Sequence, residues 1–165
     1  MDTDSFLALT EDRGPRPSER AIRSFEKEIG ASLPSDYRAF LERCNGGYAG
    51  GLIWHVGQSS LRVGIQHVGG LRQDEEDYSL QANRQLYQVE NRWIPSDLLW
   101  IMDDPVGNAT CLGIRGVHRG RTYFWDHEAI PNEWDGQVET AGNVTLIARS
   151  FAAFLDACVE DAEQK

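Results

Sequence analysis

Residues 98–125 read Leu98-Leu99-Trp100-Ile101-Met102, then Asp103-Asp104-Pro105-Val106-Gly107-Asn108, then Ala109-Thr110-Cys111-Leu112-Gly113-Ile114, then Arg115-Gly116-Val117-His118-Arg119-Gly120, then Arg121-Thr122-Tyr123-Phe124-Trp125. Three short runs of strand-forming residues, at 98–102, 110–114 and 121–125, are thus separated by two stretches that hold Gly, Asn, Asp or Pro. Runs of this length between turn residues form strands. Connections this short return the chain beside itself, so the stretch predicts an antiparallel meander.

The pattern extends in both directions. Downstream, residues 131–142 are polar and read as a loop, and residues 144–147 as a further strand. Ser150 offers an N-cap to a closing helix with Phe151, Phe154, Leu155 and Cys158 on one face. Upstream, residues 78–89 carry Leu80, Arg84 and Tyr87 at helical spacing, while residues 52–56 and 61–68 are rich in β-formers. Ser35, just after Pro34, is expected to cap a helix with Tyr37, Phe40, Leu41 and Cys44 on its apolar stripe, closed by Asn45-Gly46-Gly47. Ser18 is expected to cap a helix over residues 19–29 that carries Ala21, Ile22, Phe25 and Ile29 and stops at Gly30. Gly14, Pro15 and Pro17 break the pattern before it, so residues 1–17 read as an N-terminal arm and 18–165 as a single domain. The class is α+β.

The chain has 165 residues, enough to bury a core without disulfides or a metal. Sixteen Lys and Arg against 26 Asp and Glu give a formal net charge of −10, a field that repels nucleic acid and anionic lipid and attracts basic partners. Cys44, Cys111 and Cys158 are odd in number and widely spaced, which matches neither a disulfide framework nor a zinc pattern. Buried free thiols in a reducing cytoplasm are expected. The start, Met1-Asp2-Thr3-Asp4, lacks the basic region of a signal peptide, and no segment has the length of a membrane span.

Particular residues carry a resemblance. Ile22-x-x-Phe25-Glu26 and Ile29-Gly30 lead to Leu33-Pro34-x-Asp36-Tyr37-x-x-Phe40-Leu41 and on to Asn45-Gly46-Gly47. Ile94-Pro95, residues 99–101, Asp104, Gly107-Asn108 and Cys111-Leu112-Gly113-Ile114 follow. Then come Gly120, Tyr123-x-Trp125-Asp126-His127-Glu128 and Ser150-Phe151-x-x-Phe154-Leu155. In this order they resemble the SUKH superfamily, which includes the yeast cell-wall regulator domain, and within it the bacterial immunity proteins. The resemblance implies a twisted, mostly antiparallel sheet with helices packed on one side, and binding rather than catalysis. Many bacterial members are encoded beside polymorphic toxins, often nucleases, and neutralise them by direct contact. The implied partner is a cognate toxin, basic given the charge of this chain. The alternative is a regulatory or scaffolding domain that binds an endogenous protein. Residues 72–92 match nothing in the family and are where individuality is expected.

No catalytic residue, metal or cofactor is expected. The Gly46-Gly47 and Gly50-Gly51 cluster leaves a helix for strands, the reverse of a phosphate loop, and reads as a helix C-cap and tight turn. Asp126-His127-Glu128, read on a strand, would point to alternate faces and so not converge. Asp103, Asp104 and Asn108 lack the ligand series of a calcium loop and carry the chemistry of a turn. The expected partner contacts are Asp74, Glu75, Glu76, Asp77, Asp103, Asp104, Asp126, Glu128 and Trp134. Carboxylates can imitate the phosphate row that a basic nuclease binds, and would steer association. The run 74–77 reads as solvated, so its charge reversal is expected to leave the fold intact. Trp54, Trp100 and Trp125 are expected in the core, whereas Trp134, in the polar loop, is the Trp expected at the surface as an anchor.

Overall fold

In the computed structural model, which describes residues 1–55, 62–72, 74, 76–131 and 133–160, the meander is the centre of a larger sheet. Its strands are β1 (Gly47–His55), β2 (Arg62–Val68), β3 (Leu98–Asp103), β4 (Ala109–Gly113), β5 (Thr122–Trp125), β6 (Val144–Ala148) and β7 (Cys158–Glu160). They lie in the order β6-β5-β4-β3-β2-β1-β7, and every neighbouring pair is antiparallel. Trp100 pairs with Cys111, and Cys111 with Tyr123. Leu98, Leu99, Trp100, Ile101 and Met102 are all fully buried, which explains why β3 reads as a continuous apolar run and not as an alternation.

The helices are α1 (Thr3–Ala8), α2 (Glu19–Ile29), α3 (Ser35–Leu41), α4 (Leu80–Arg84) and α5 (Phe151–Ala157), and α4 runs directly into a π-helix, Gln85–Glu90. Ser18 caps α2 by accepting from the Ala21 N–H at 3.1 Å, and Gly30 ends it in the left-handed conformation, as expected. Ser35 does not cap α3: Pro34 occupies that position without a side-chain bond, and Ser35 is already helical. Asp36 supplies a different cap. Its carboxylate accepts from the N–H of Ala152 at 3.1 Å and so ties α3 to the start of α5.

The helices pack together on one side of the sheet. Phe40 lies 4.9 Å from Phe151 and 5.5 Å from Phe6, ring centre to ring centre, and Phe154 of α5 reaches Trp54 of β1 at 6.1 Å. Arg84 of α4 pairs with Glu28 of α2 at 3.4 Å, which places the two helices side by side. Trp54, Trp100 and Trp125 are buried, as expected.

Residues 1–17, read from the sequence as an arm, carry α1 with Phe6 and Leu7 buried, and bridge the body at Glu11–Tyr48 and Gly14–Asn45. The amino terminus donates to the carbonyls of Leu155, Asp156 and Cys158 at 2.8, 2.9 and 3.1 Å. The closing helix ends one residue earlier than its apolar spacing implied. Cys158 turns extended (ψ 141°) and opens β7, which hydrogen-bonds the otherwise free edge of β1. Gly50 sits inside β1, not in a turn: the Tyr48 ring lies over it, at 2.4 Å from where a Cβ would be.

Candidate partner-binding surface

The turn after β3 is built on Asp104. Its carboxylate accepts from the N–H groups of Val106 at 3.0 Å and Asn108 at 2.8 Å, and from Asn108 Nδ2 at 2.9 Å. Asp104 is buried, and its acceptor capacity is largely spent inside the turn. Asn108 then reaches across to the next loop: its Oδ1 accepts from the His127 N–H at 3.2 Å and lies 2.9 Å from His127 Nδ1. Asp126, His127 and Glu128 are not on a strand, because β5 ends at Trp125. The N–H of His127 goes to a side chain, that of Glu128 goes to Asp126 Oδ1 at 2.9 Å, and the Asp126 backbone is held on both sides by Asn143. One hydrogen-bonded joint therefore brings Asp104, Asp126 and Glu128 to the same end of the sheet.

Asp103 begins a second group. It accepts from the His67 N–H at 3.0 Å, and its other oxygen is 3.2 Å from His67 Nδ1. Burial pushes its carboxyl above the usual range; His67 opposes the shift, and the neighbouring Asp104 charge adds to it. The His67 ring contacts Tyr78 at 5.5 Å and Tyr48 at 6.3 Å. The Tyr87 phenol is also pushed up, by burial first and then by the charge of Asp103, with Cys111 and Asp77 adding to it. Asp77 and Asp103, 26 positions apart in sequence, thus act on one side chain.

The run 74–77 is not uniform. Glu76 and Asp77 are exposed, whereas Glu75 lies outside the described residues. Asp74 is engaged: Arg72, buried at its side chain, donates to it from Nε at 3.1 Å and from Nη2 at 2.7 Å. These bonds hold the Asp74 carboxyl below the usual range. Of the described charges in the run, only Asp74 pairs with a buried guanidinium, so its reversal places a cation against Arg72.

Trp134 is half-buried, and Trp93, for which no surface role was expected, is the more exposed at 37 %. The two line a surface cleft of about 620 Å³ with Asn91, Arg92, Ile130, Pro131, Asp135 and Gly136. Trp93 is fixed from below: its carbonyl accepts from Trp125 Nε1 at 3.1 Å, and the Tyr87 ring lies 6.2 Å from it. The Tyr87 ring also lies 5.7 Å from Trp125. Leu86 and Val89, exposed on the π-helix, and Tyr48 on β1 are further apolar contacts that spacing did not single out. The wider turn of the π-helix departs from the α-helical register, and Leu86 and Val89 lie outside the core.

Segments 73–83, 93–114 and 122–148, which supply these loops, hold twelve Asp or Glu and no Lys or Arg, and Arg72, Arg84, Arg92, Arg115, Arg121 and Arg149 flank them. Among the described residues no three His, Cys, Asp or Glu side chains converge as a metal site would require, and no helix is long and apolar enough to cross a membrane.

An antiparallel sheet with helices on one side, and an acidic, aromatic loop surface at one end, define a small α+β domain. The model of the SMI1 / KNR4 family (SUKH-1) matches residues 16–157, and the chain belongs to this family. No curated protein matches the chain.

Proposed function

We propose that this protein is an immunity protein that binds a cognate toxin, a basic nuclease-type effector, and neutralises it by direct contact. The carrying observation is the acidic surface assembled from separate segments around Asp103 and Asn108, where Glu76, Asp77 and Glu128 face solvent. Such a surface presents rows of carboxylates to a partner built to bind phosphate, and it raises the rate of encounter. The role is one of occlusion, in keeping with a family that binds rather than catalyses. Membership of the SUKH-1 family supports a protein partner.

The test is capture from a lysate of the native host with the tagged protein, followed by mass spectrometry and by co-expression of the captured protein. The expected result is a basic protein that halts growth when expressed alone and is harmless when co-expressed with this chain. A captured protein that is harmless by itself would move the chain to the regulatory or scaffolding role. Capture and protection undiminished by joint reversal of Glu76, Asp77 and Glu128 to Lys would remove the acidic surface from the account.

A further inference from the structure

We infer that the outer edge of β6 pairs with the same edge of a second copy of this chain, antiparallel about a two-fold axis at Thr145; the inference does not depend on the toxin reading above. β6 ends the sheet, and among the described residues nothing hydrogen-bonds its outer side. Its five residues, Val144-Thr145-Leu146-Ile147-Ala148, include no charge and no Pro, the residues that commonly blunt such an edge. Thr145 is exposed, and Leu146 is 47 % exposed.

The ladder with β5 decides which backbone groups of β6 are free. Asp126 donates its N–H to the Asn143 carbonyl at 2.9 Å, so these two residues form a hydrogen-bonded pair. Hydrogen-bonded and non-hydrogen-bonded pairs alternate along an antiparallel ladder. Phe124–Thr145 is therefore hydrogen-bonded, whereas Trp125–Val144 and Tyr123–Leu146 are not. The N–H and C=O groups of Val144 and Leu146 consequently point outward. Gly142, at φ 70°, turns the chain before this stretch, and the register shift between Tyr123–Leu146 and Thr122–Ala148 leaves Ile147 in a bulge after it. The free groups are thus symmetric about Thr145. A two-fold pairing sets Val144 of each copy against Leu146 of the other, every such pair exchanging N–H···O bonds in both directions, with Thr145 opposite its own equivalent. Val144 and Leu146 of the two copies then form an apolar cluster on one face, and the threonines meet on the other.

Charge selects a second copy as the occupant. One end of the edge carries Arg121, just before Thr122, and Arg149, just after Ala148, the residue that pairs with Thr122. Arg149 is exposed and has no hydrogen bond or ion pair among the described residues. The other end carries Asp126, beside Asn143, and the exposed Glu128. Antiparallel self-pairing brings the arginines of each copy toward the carboxylates of the other. Parallel pairing would set like against like, and a basic strand would meet the arginines. The contact closes on its own symmetry, so it stops at a dimer, and it is short, so the dimer is weak.

The test is sedimentation velocity of the whole protein from ~5 µM to ~1 mM, where a monomer–dimer equilibrium with a Kd of ~10–300 µM is expected. Thr145→Lys and Thr145→Glu each set like charges against one another at the two-fold axis, so each alone should stay monomeric with the circular dichroism of the wild type. Mixed in equal amounts, the two should dimerise at least as tightly as the wild type. Arg149→Glu should weaken the wild-type dimer about 3–10-fold. A wild-type chain that is monomeric up to ~1 mM would overturn the inference. So would a Thr145→Lys or Thr145→Glu dimer as tight as the wild type's, a folded mixture that stays monomeric, or an Arg149→Glu dimer of undiminished strength. None of these outcomes bears on the toxin reading, which is scored by capture through Glu76, Asp77 and Glu128.

Discussion

Arg72 and Asp74 form a two-point ion pair in which the guanidinium side is buried, at 7 % exposure, and the carboxylate side is open, at 66 %. Asp74→Ala removes the two-point partner of the buried guanidinium, which Asp12 also contacts, so it lowers the melting temperature, and Asp74→Lys lowers it further. Glu76→Ala and Asp77→Ala leave it unchanged. Because Arg72 holds the Asp74 carboxyl low, this stabilisation is complete above the ordinary Asp pKa and is lost as pH falls through the depressed value. Thermal melts of the four variants across pH check both statements; equal melting temperatures would remove the structural role of Asp74.

Phe40 joins α1, α3 and α5, with Phe6 at 5.5 Å and Phe151 at 4.9 Å, and it is 2 % exposed. Truncation to Ala leaves a cavity that the surrounding rings fill only in part. Urea unfolding of Phe40→Ala should show a loss of about 3–5 kcal/mol. A loss under ~1 kcal/mol would mean that the helices do not share one core.

The three thiols are buried and unpaired. Burial pushes Cys44 and Cys158 up to about 12, and Cys111 is shifted the same way. The thiolate is the reactive form, so the native protein at pH 8 should resist iodoacetamide for hours, while denaturant should expose all three thiols at once. Mass spectrometry of the alkylated protein reads the outcome. Rapid single labelling of the native state would show that one thiol is accessible.

Asp103 behaves in the opposite sense to Asp74. Its carboxyl is raised by burial, so the folded state binds a proton more readily than the unfolded chain. Its ionised form costs stability at neutral pH, and that cost is relieved as pH falls through the raised pKa, complete below the ordinary value. His67, Asp104 and Tyr87 face the same carboxylate and set the size of the effect. The stability of wild type relative to Asp103→Asn should therefore improve as pH is lowered from 7 toward 4. A difference independent of pH would show that Asp103 ionises normally.

Association with a basic partner should be steered by charge. Raising salt from ~50 mM to ~500 mM shortens the Debye length to about 4 Å, and kon should fall at least tenfold while koff changes less. Glu76→Lys with Asp77→Lys should slow association further, whereas Trp134→Ala should act on koff. Stopped-flow measurements with the captured partner across salt decide the matter; a kon indifferent to salt and to the reversals would leave shape and apolar contact as the source of binding.

Where side-chain chemistry and chain neighbours suffice, the sequence determines the structure. Ser18 and Gly30 mark the ends of α2, and Gly-containing turns between the apolar runs produce β3, β4 and β5. The capping and turn geometries that set these boundaries are local, so they are written locally. Their ordered combination also led to the family. What tertiary structure alone decided is where the chain meets itself at a distance. No spacing rule places β7 on β1, docks Phe6 beneath Phe40, or joins Asn108 to His127. The acidic surface is of that kind. Its carboxylates were visible as residues, but whether each is engaged, as at Asp104 by Val106 and Asn108 and at Asp74 by Arg72, or left facing solvent, as at Glu76 and Asp77, depends on the backbone path of the turns and on burial of Arg72 that only packing creates. The exchange of Trp134 for Trp93 as the more exposed indole has the same cause: both flank polar loops, and only the packing of Tyr87 and Trp125 beneath Trp93 sets how far its ring reaches the surface.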